Sequence, residues 1–543
     1  MTETNVRNYC FTRQQYGVAM NRRTCPRQSG NSKVSLAVVI AVLAIGIVWF
    51  YQFRAATPVI HVPTAVEYID SVAVMPLDNF TGNSEFDHVG MGIAEEIITH
   101  LARIPPLKVI SSHSVQSISD QNLTYPQLGN LLNVRHIIVG SVELHEENLL
   151  IHLRHINAMQ NTDVWTRSID VTADALAQRQ EDIARFVTEK VSEFIPGIDV
   201  PNYNAHGDLG PGQEAYLDGR RWLGQRTAEG LNNAISELTR ATELDPGYAP
   251  AYADLASAYA LAIFYRYNVG GADNYVLAAR SLALAERALA LDPNLAAGFA
   301  ARGYLGALVG QDPEKIAADL DRAASLQPNA ASIPSWRARS LLLLGQPEEA
   351  IAEASRAIDL DPLAPGRHIA LAEMSIQLGL YDQAISSARS ASSLEPELVR
   401  SRAIEGRALL LSGNPEQCAE LTLGPHQVLR ATCLEAAGRH EEADAIIAEV
   451  ISAIRAAKLP ANGYTDVIAF EDLAIDFAMR GDARNALFWS ARAYSSSPVG
   501  MEPRNLESEL FDKVRNDPEF STALAAIRAD LYERVRRDSE RFR

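Results

Sequence analysis

The sequence predicts an α/β domain followed by an all-α solenoid of helix pairs, with a single transmembrane helix near the N-terminus. Three observations predict this arrangement: an uncharged apolar run from residue 34, mixed strand and helix patterns over residues 67–196, and a 34-residue repeat beyond them. The chain has 543 residues and a formal net charge of −18. This negative net charge argues against nucleic-acid binding, because proteins that bind phosphate backbones present a basic surface.

The first element is a predicted transmembrane helix at residues 34–53, which opens with VSLAVVIAVLAIGIVWFY and contains no charged side chain. A helix of that length rises about 30 Å, enough to cross the hydrocarbon core of a bilayer. The tail before it, residues 1–33, carries six Lys or Arg residues against Glu3 alone. The positive-inside rule therefore predicts a cytoplasmic N-terminus and an inner-membrane anchor, with all domains after a linker at residues 54–66 in the bacterial periplasm. A cleaved signal peptide is the alternative.

The second element is a mixed α/β domain at residues 67–196. Apolar runs predict strands at residues 71–77, 107–111 and 162–171, and a hairpin of residues 136–144 and 149–157. Helical periodicity predicts helices at residues 89–104, 125–132 and 174–194. A linker rich in Pro and Gly, residues 197–212, follows and leaves the placement of this domain relative to the solenoid open.

The third element, residues 213–500, is a helical repeat marked by Pro328, Pro362 and Pro396, which lie 34 residues apart. Small residues recur at fixed positions before these prolines: Ala338, Ala350 and Ala357 in one repeat, and Ala372, Ala384 and Ala391 in the next. Small side chains let two helix backbones approach closely, and proline ends the second helix of each unit. An irregular Ala-rich bundle is the alternative.

The period and the small-residue pattern resemble the tetratricopeptide (TPR) family, whose repeats are antiparallel helix pairs that bind proteins. The same pattern recurs at Ala474, Ala486 and Ala493, whereas Cys418 and Ala431 fall in degraded repeats. An excess of residues near 265–274 predicts an insertion in an early repeat. Residues 501–543 are predicted to form C-terminal capping helices, since a solenoid needs a polar end.

The α/β segment resembles the TolB-N-terminal-like domain through the stretches VAVMPLDNFTGNSEF, GMGIAEEIITHLARIPPLKVIS, LGNLLNVRHIIVGSV and NTDVWTRSID. Bacteria attach that domain to TPR arrays behind a transmembrane helix. The resemblance implies the periplasmic half of a receptor similar to CadC-like regulators or to adenylate-cyclase-linked TPR proteins. The winged-helix or cyclase output module of those proteins is not seen in this chain.

The residues offer little chemistry, so we expect neither an enzyme nor a bound cofactor or metal. Glu95 and Glu96 are neighbours on a helix and are expected to be solvated rather than a facing acid–base pair, and a position at the approach to a pocket is the alternative for either. His152 and His155 are expected on opposite faces of a strand, which argues against a shared metal. Cys418 and Cys433 are either a disulfide pair or two buried thiols.

The groove of the solenoid is the predicted binding site. Counting back from the repeat-ending prolines places Arg339, Glu373 and Glu471 on its concave side, where charged residues suit peptide tails or partner helices. A solvated surface is the alternative. The sequence thus predicts a membrane-anchored periplasmic scaffold that binds proteins or peptides through this groove. A sensory subunit whose output module lies on another chain is the second hypothesis, and an unrecognised enzyme is the third. Homodimer formation stays open.

Overall fold

The computed structural model describes residues 70–539 with internal gaps. The gaps are at residues 106, 120, 147, 173–175, 195–211, 225–227, 266, 268, 270–273, 310–311, 344–345, 422, 425, 457–463 and 497–510. The predicted transmembrane helix at residues 34–53 and the tail before it lie outside this range. Among the described helices, none combines the length and the apolar character that a membrane crossing requires.

The N-terminal part of the described chain is an α/β domain. Its strands are β1 (Asp70–Val74), β2 (Asp78–Asn79), β3 (Leu107–Val109), β4 (His136–His145), β5 (Asn148–Asn157) and β6 (Thr162–Thr172). Its helices are α1 (Asp87–Leu101), α2 (Ser112–Gln116), α3 (Tyr125–Leu132) and α4 (Leu176–Phe194). Within this domain every strand and helix that the sequence predicted is present, and most bounds differ by only a few residues.

The strands form one mixed sheet in the order β3-β1-β4-β5-β6, with β2 added beside β4. The pairs β1–β3 and β1–β4 are parallel, whereas β4–β5 and β5–β6 are antiparallel. Val72 and Val74 pack with α1 and α4 on one face of the sheet, and Ala73 packs with α2 and α3 on the other. Since successive side chains of a strand alternate between faces, a buried strand must be apolar at consecutive positions, as the run SVAVMPL predicts.

The remainder is a solenoid of antiparallel helices. They are α5 (Gln213–Gly224), α6 (Ala228–Leu244), α7 (Ala249–Tyr265), α8 (Asn274–Leu291), α9 (Ala296–Val309), α10 (Pro313–Leu326), α11 (Ser332–Leu343), α12 (Pro347–Leu360), α13 (Pro365–Gln377), α14 (Tyr381–Leu394), α15 (Val399–Leu411), α16 (Pro415–Glu420), α17 (Gln427–Ala436), α18 (His440–Arg455), α19 (Tyr464–Met479), α20 (Ala483–Ser496), α21 (Asp512–Arg515) and α22 (Pro518–Ser539). Sequential helices pack as pairs, and each pair packs on the next, which is the TPR arrangement. The predicted insertion falls between α7 and α8.

The small residues that marked the repeats lie at the contacts between helices. The six alanines of the two clearest repeats are all buried: Ala338, Ala350, Ala357, Ala372, Ala384 and Ala391. The pattern is confirmed, because a larger side chain at these positions would separate the paired helices.

Enlarging one of these alanines should therefore destabilise the solenoid. Ala384 on α14 is fully buried, so Ala384→Leu is expected to lower the free energy of unfolding by about 1–3 kcal/mol through overpacking. Ala445 on α18 is exposed, so Ala445→Leu is the matched control and should change stability little. Urea unfolding of both variants measures the difference. Equal effects at the two positions would contradict the assigned helix contacts.

The degraded repeats contain a shortened helix and a disulfide. The helix α16 has only 6 residues, which leaves its pair incomplete. Cys418 on α16 and Cys433 on α17 form a disulfide, with their Cα atoms 5.8 Å apart. Of the two alternatives that the sequence left open, the structure has the covalent pair.

The C-terminal helix α22 caps the solenoid and also reaches back to its beginning. Phe520 and Leu524 pack into the core of the last repeats, as expected for a capping helix. The same helix contacts α8 and α9 in the early repeats. The last helix of the solenoid therefore packs against its second and third helix pairs, which the sequence did not predict.

Candidate functional site

A pocket of about 80 Å³ opens where the first helices of successive pairs lie side by side, the side that is concave in helical-repeat arrays. Two of the three predicted groove residues, Arg339 on α11 and Glu373 on α13, line it together with Trp336 and Tyr304. These residues come from the first helices of successive pairs. The 34-residue repeat places such helices side by side, so side chains distant in sequence meet at one surface.

One wall of the pocket is aromatic. The rings of Tyr304 and Trp336 are stacked with centroids 4.4 Å apart and an angle of 5° between planes. Tyr267 and Met374 extend this apolar lining. Stacked rings and a thioether suit an apolar or aromatic side chain of a ligand.

Among the charged residues of the pocket, Glu373 is held by an ion pair with Arg400. The carboxylate of Glu373 accepts hydrogen bonds from Nε and Nη2 of Arg400 at 3.0 and 2.6 Å. Arg339 is 5% exposed, so little of its side chain reaches bulk solvent. Charges so largely shielded from solvent have little freedom to move, which suits the recognition of polar groups on a peptide.

Glu471 lies elsewhere, in a buried cluster of charged residues farther along the solenoid. Its carboxylate is 3.9 Å from Arg407, which also donates a 2.7 Å hydrogen bond to Asp472. Burial alone would raise the pKa of Asp472, but His426 and Arg407 outweigh it and hold the pKa at about 2. Glu471 does not line the described pocket, although Arg407 lies close enough to both Glu471 and Glu373 for each carboxylate to raise the pKa of Arg407 against the effect of burial.

Sequence reasoning missed the aromatic pair, Arg367 and His113. Tyr304 and Trp336 stand one and three repeat positions before that of Arg339, so the count from the prolines does not select them. His113 belongs to α2 of the α/β domain, yet it lines the same pocket. No sequence signal links α2 to a helix more than 200 residues away.

The α/β domain is docked on the solenoid through the loops that end successive repeats. Asn329, which follows Pro328, donates through its backbone N–H to the carbonyl of Ala102 at 3.1 Å and through Nδ2 to that of Ile104 at 2.6 Å. One repeat later, the carbonyl of Leu360 accepts from the backbone N–H of Ser111 at 2.8 Å. A solenoid presents equivalent loops along one edge, and a single segment of the α/β domain contacts two of them.

Asp361 is the centre of this junction. Its Oδ1 accepts hydrogen bonds from the hydroxyls of Ser111 and Ser114 and lies 3.4 Å from Nδ1 of His113. Its Oδ2 lies 3.4 Å from Nε of Arg367, and the residue is only 1% exposed. Burial alone would raise the pKa of Asp361, but His113, Arg367 and Ser111 outweigh it and hold the pKa well below its usual value.

A second contact between the two domains overturns one sequence prediction. Glu95 was expected to be solvated, but it is 8% exposed and its carboxylate lies 2.7 Å from Arg220 of α5. Arg220 in turn lies 3.6 Å from Asp254 of α7. The expectation was wrong because the solenoid covers this face of α1, which a single helix pattern cannot reveal. The polar groups of the junction surround a cavity of about 250 Å³.

The two histidines of β5 lie on opposite faces of the sheet, as predicted. His152 is paired with Ser168 near solvent, whereas His155 is buried and its Nε2 lies 2.8 Å from Nδ1 of His136. Within the described parts of the chain, no group of three or more His, Cys, Asp or Glu residues is placed to hold a metal ion.

Comparison with known proteins gives partial likenesses. No family model matches the chain. A protein named "Putative adenylate cyclase 3" from Rhizobium meliloti (strain 1021) is 26% identical over 225 residues, which are 41% of this chain and 38% of that protein. The chain therefore spans well under half the length of this relative.

Two solved TPR structures overlap with parts of the chain. A thermophilic TPR protein from Thermus thermophilus is 21% identical, with a TM-score of 0.30, and the overlap covers 37% of this chain and 99% of that one. YrrB, described as a TPR protein with an unusual peptide-binding site, is 18% identical, with a TM-score of 0.25, over 41% and 98% of the two chains. Because these scores are low, the TPR assignment rests on the helix pairs and 34-residue spacing of this chain.

Proposed function

We propose that this protein is a membrane-anchored periplasmic scaffold that binds segments of other proteins in its concave groove. The observation that carries the proposal is the pocket in which Arg339 and Glu373 meet the stacked rings of Tyr304 and Trp336. A groove with an apolar wall and a few fixed charges favours an extended peptide or a partner helix. The proposal assigns no catalytic step and no cofactor to the chain.

The membrane anchor and the compartment rest on residues before the described range. The uncharged run at residues 34–53 and the basic tail before it support one crossing, with the later domains in the periplasm. The pairing of Cys418 with Cys433 supports the same compartment, because structural disulfides persist where conditions are oxidising. We assign the α/β domain to the TolB-N-terminal-like family on its sequence motifs, and the mixed sheet is compatible with that assignment.

Crosslinking of the full-length protein in cells tests the scaffold function. Tagged protein would be purified from membranes after crosslinking, and co-purifying proteins identified by mass spectrometry. Arg339→Met keeps an unbranched side chain but removes the guanidinium group and its charge, so we expect recovery of specific envelope proteins to fall more than five-fold. Asp382→Asn, at an exposed position on α14, is the control and should recover them as the unaltered protein does. Equal recovery with both variants would overturn the role of the pocket.

A sensory subunit with its output module on another chain is the second candidate, and the likeness to a protein named as an adenylate cyclase favours it. The chain covers 38% of that protein, which is compatible with sharing a non-catalytic part. Signal would then have to cross the single membrane helix, and dimerisation is one route. Recovery of a cytoplasmic cyclase or DNA-binding protein, unaffected by Arg339→Met, would support this candidate over the scaffold.

A further inference from the structure

We propose that the peptide-binding site is composite, so that a bound segment contacts the α/β domain and the solenoid together. This inference rests on the proposed function and adds His113 to the binding residues. It predicts that peptide binding and docking of the α/β domain strengthen each other.

The first step of the argument is the position of His113. It lies on α2 of the α/β domain and lines the concave pocket beside Arg367, Trp336 and Arg339 of the solenoid. Its side chain is 21% exposed, so it is accessible from the pocket although it also contacts Asp361.

The second step is that His113 is held in place by docking. Nδ1 of His113 lies 3.4 Å from Asp361, and the neighbouring Ser111 and Ser114 donate hydrogen bonds to the same carboxylate. The backbone N–H of Leu363 also donates to the Ser114 hydroxyl at 3.1 Å. These contacts place α2 at the pocket only while the α/β domain is docked.

The third step is that the pocket and the cavity of the junction have lining residues in common. Trp336 borders both the concave pocket and the 250 Å³ cavity of the junction, and so do His113 and Arg367. A ligand that packs on Trp336 therefore lies next to the residues at which the α/β domain docks. A ligand that binds only the docked state stabilises docking. Docking in turn strengthens binding of that ligand by the same free energy.

The pocket also limits the occupant. Its volume of about 80 Å³ and its lining of Tyr304, Trp336, Tyr267 and Met374 suit one apolar or aromatic side chain. Arg339 and Glu373 line the same pocket, so their charges lie beside the peptide groups that flank this side chain. The expected ligand is thus an extended protein segment with an apolar anchor residue, rather than a free ion.

The test uses the whole protein in detergent and peptides selected on it from a displayed random library. We expect His113→Ala to weaken binding of such a peptide about ten-fold or more, and His145→Ala, an exposed histidine at the far end of β4, to leave it unchanged. Because His113→Ala also touches the junction, hydrogen exchange is followed in the unaltered protein as well. Added peptide should protect residues 112–116 as strongly as residues 332–343.

The two proposals fail in different ways. Peptides that bind with unchanged affinity to Arg339→Met would overturn the groove as the binding site, and with it the proposed function. The other outcome is peptide binding that depends on Arg339 but is unaffected by His113→Ala, with hydrogen exchange at residues 112–116 unchanged when peptide is added. That result would overturn the composite site alone. The scaffold function would then stand on the solenoid by itself.

Discussion

Replacing Asp361 with alanine is expected to release the α/β domain from the solenoid and to cost about 3–5 kcal/mol. The carboxylate is buried and is shared by Ser111, Ser114, His113 and Arg367. Its removal leaves two hydroxyls and the Arg367 guanidinium inside the junction without this partner. Because the loss falls on the contact between the domains, each domain should keep its own helices or strands.

Denaturant unfolding and quenching of tryptophan fluorescence by acrylamide measure this effect. The variant should unfold in two steps rather than one, and Trp336, which is 8% exposed and borders the junction, should become accessible to the quencher. Asp382→Asn is again the control, since it changes an exposed carboxylate of the solenoid that does not line the junction cavity. A single transition at an unchanged midpoint would show that Asp361 does not hold the domains together.

The pH dependence of this contact has a definite sign. The folded-state pKa of Asp361 lies below its usual value of 3.8, so its stabilising contribution is complete above that pH. The contribution is lost only as the pH falls further toward the folded-state pKa. We therefore expect the domains to stay docked through the neutral and mildly acidic range.

Acidification from pH 7 to pH 4 is expected to destabilise the α/β domain by about 3 kcal/mol through His155. Burial, together with the neighbouring His136, lowers the pKa of His155 from 6.5 to about 4, although Asp70 opposes the shift. A depressed folded-state pKa means that the unfolded chain binds the proton first. Stability is therefore complete above pH 6.5 and declines as the pH falls toward 4.

The comparison of His155→Gln with His152→Gln isolates this contribution. His152 lies three residues away on the same strand but faces solvent, so its replacement should leave the slope of unfolding free energy against pH unchanged. His155→Gln lowers stability at pH 7 through lost packing, and its slope between pH 4 and 7 should be flatter. Parallel pH profiles for the two variants would contradict the assigned role of His155. The lowered pKa values of His155 and Asp361 together predict that mild acid destabilises the α/β sheet before it weakens the contact between the domains.

Much of the secondary structure was predictable because local patterns determine it. The hairpin of β4 and β5 follows from alternating apolar residues on either side of a short polar turn. The paired helices follow from buried alanines such as Ala372 and Ala384, which recur at the period of the repeat. Arg339 and Glu373 were found by the same period, because equivalent positions of a repeat face the same surface.

The rest of the candidate site depended on contacts between distant segments. Glu471 satisfied the same positional rule, yet it lies in a buried ion cluster with Arg407, because neighbouring helices decide which groove positions stay open. His113 could not be assigned to the pocket, and Glu95 was expected in water, since neither prediction could include the opposing domain.

By itself, therefore, the sequence determined the order of the elements, the helix pairs and the division into an α/β region and a solenoid. Those features depend on the side-chain period within one helix, strand or repeat, where the interacting residues are close along the chain. Only the tertiary structure decided that the α/β domain docks on the repeat-ending loops, that Cys418 pairs with Cys433, and that α22 returns to the early repeats. These depend on buried hydrogen bonds and on shape between segments up to about 250 residues apart, for which a single sequence carries no periodic signal.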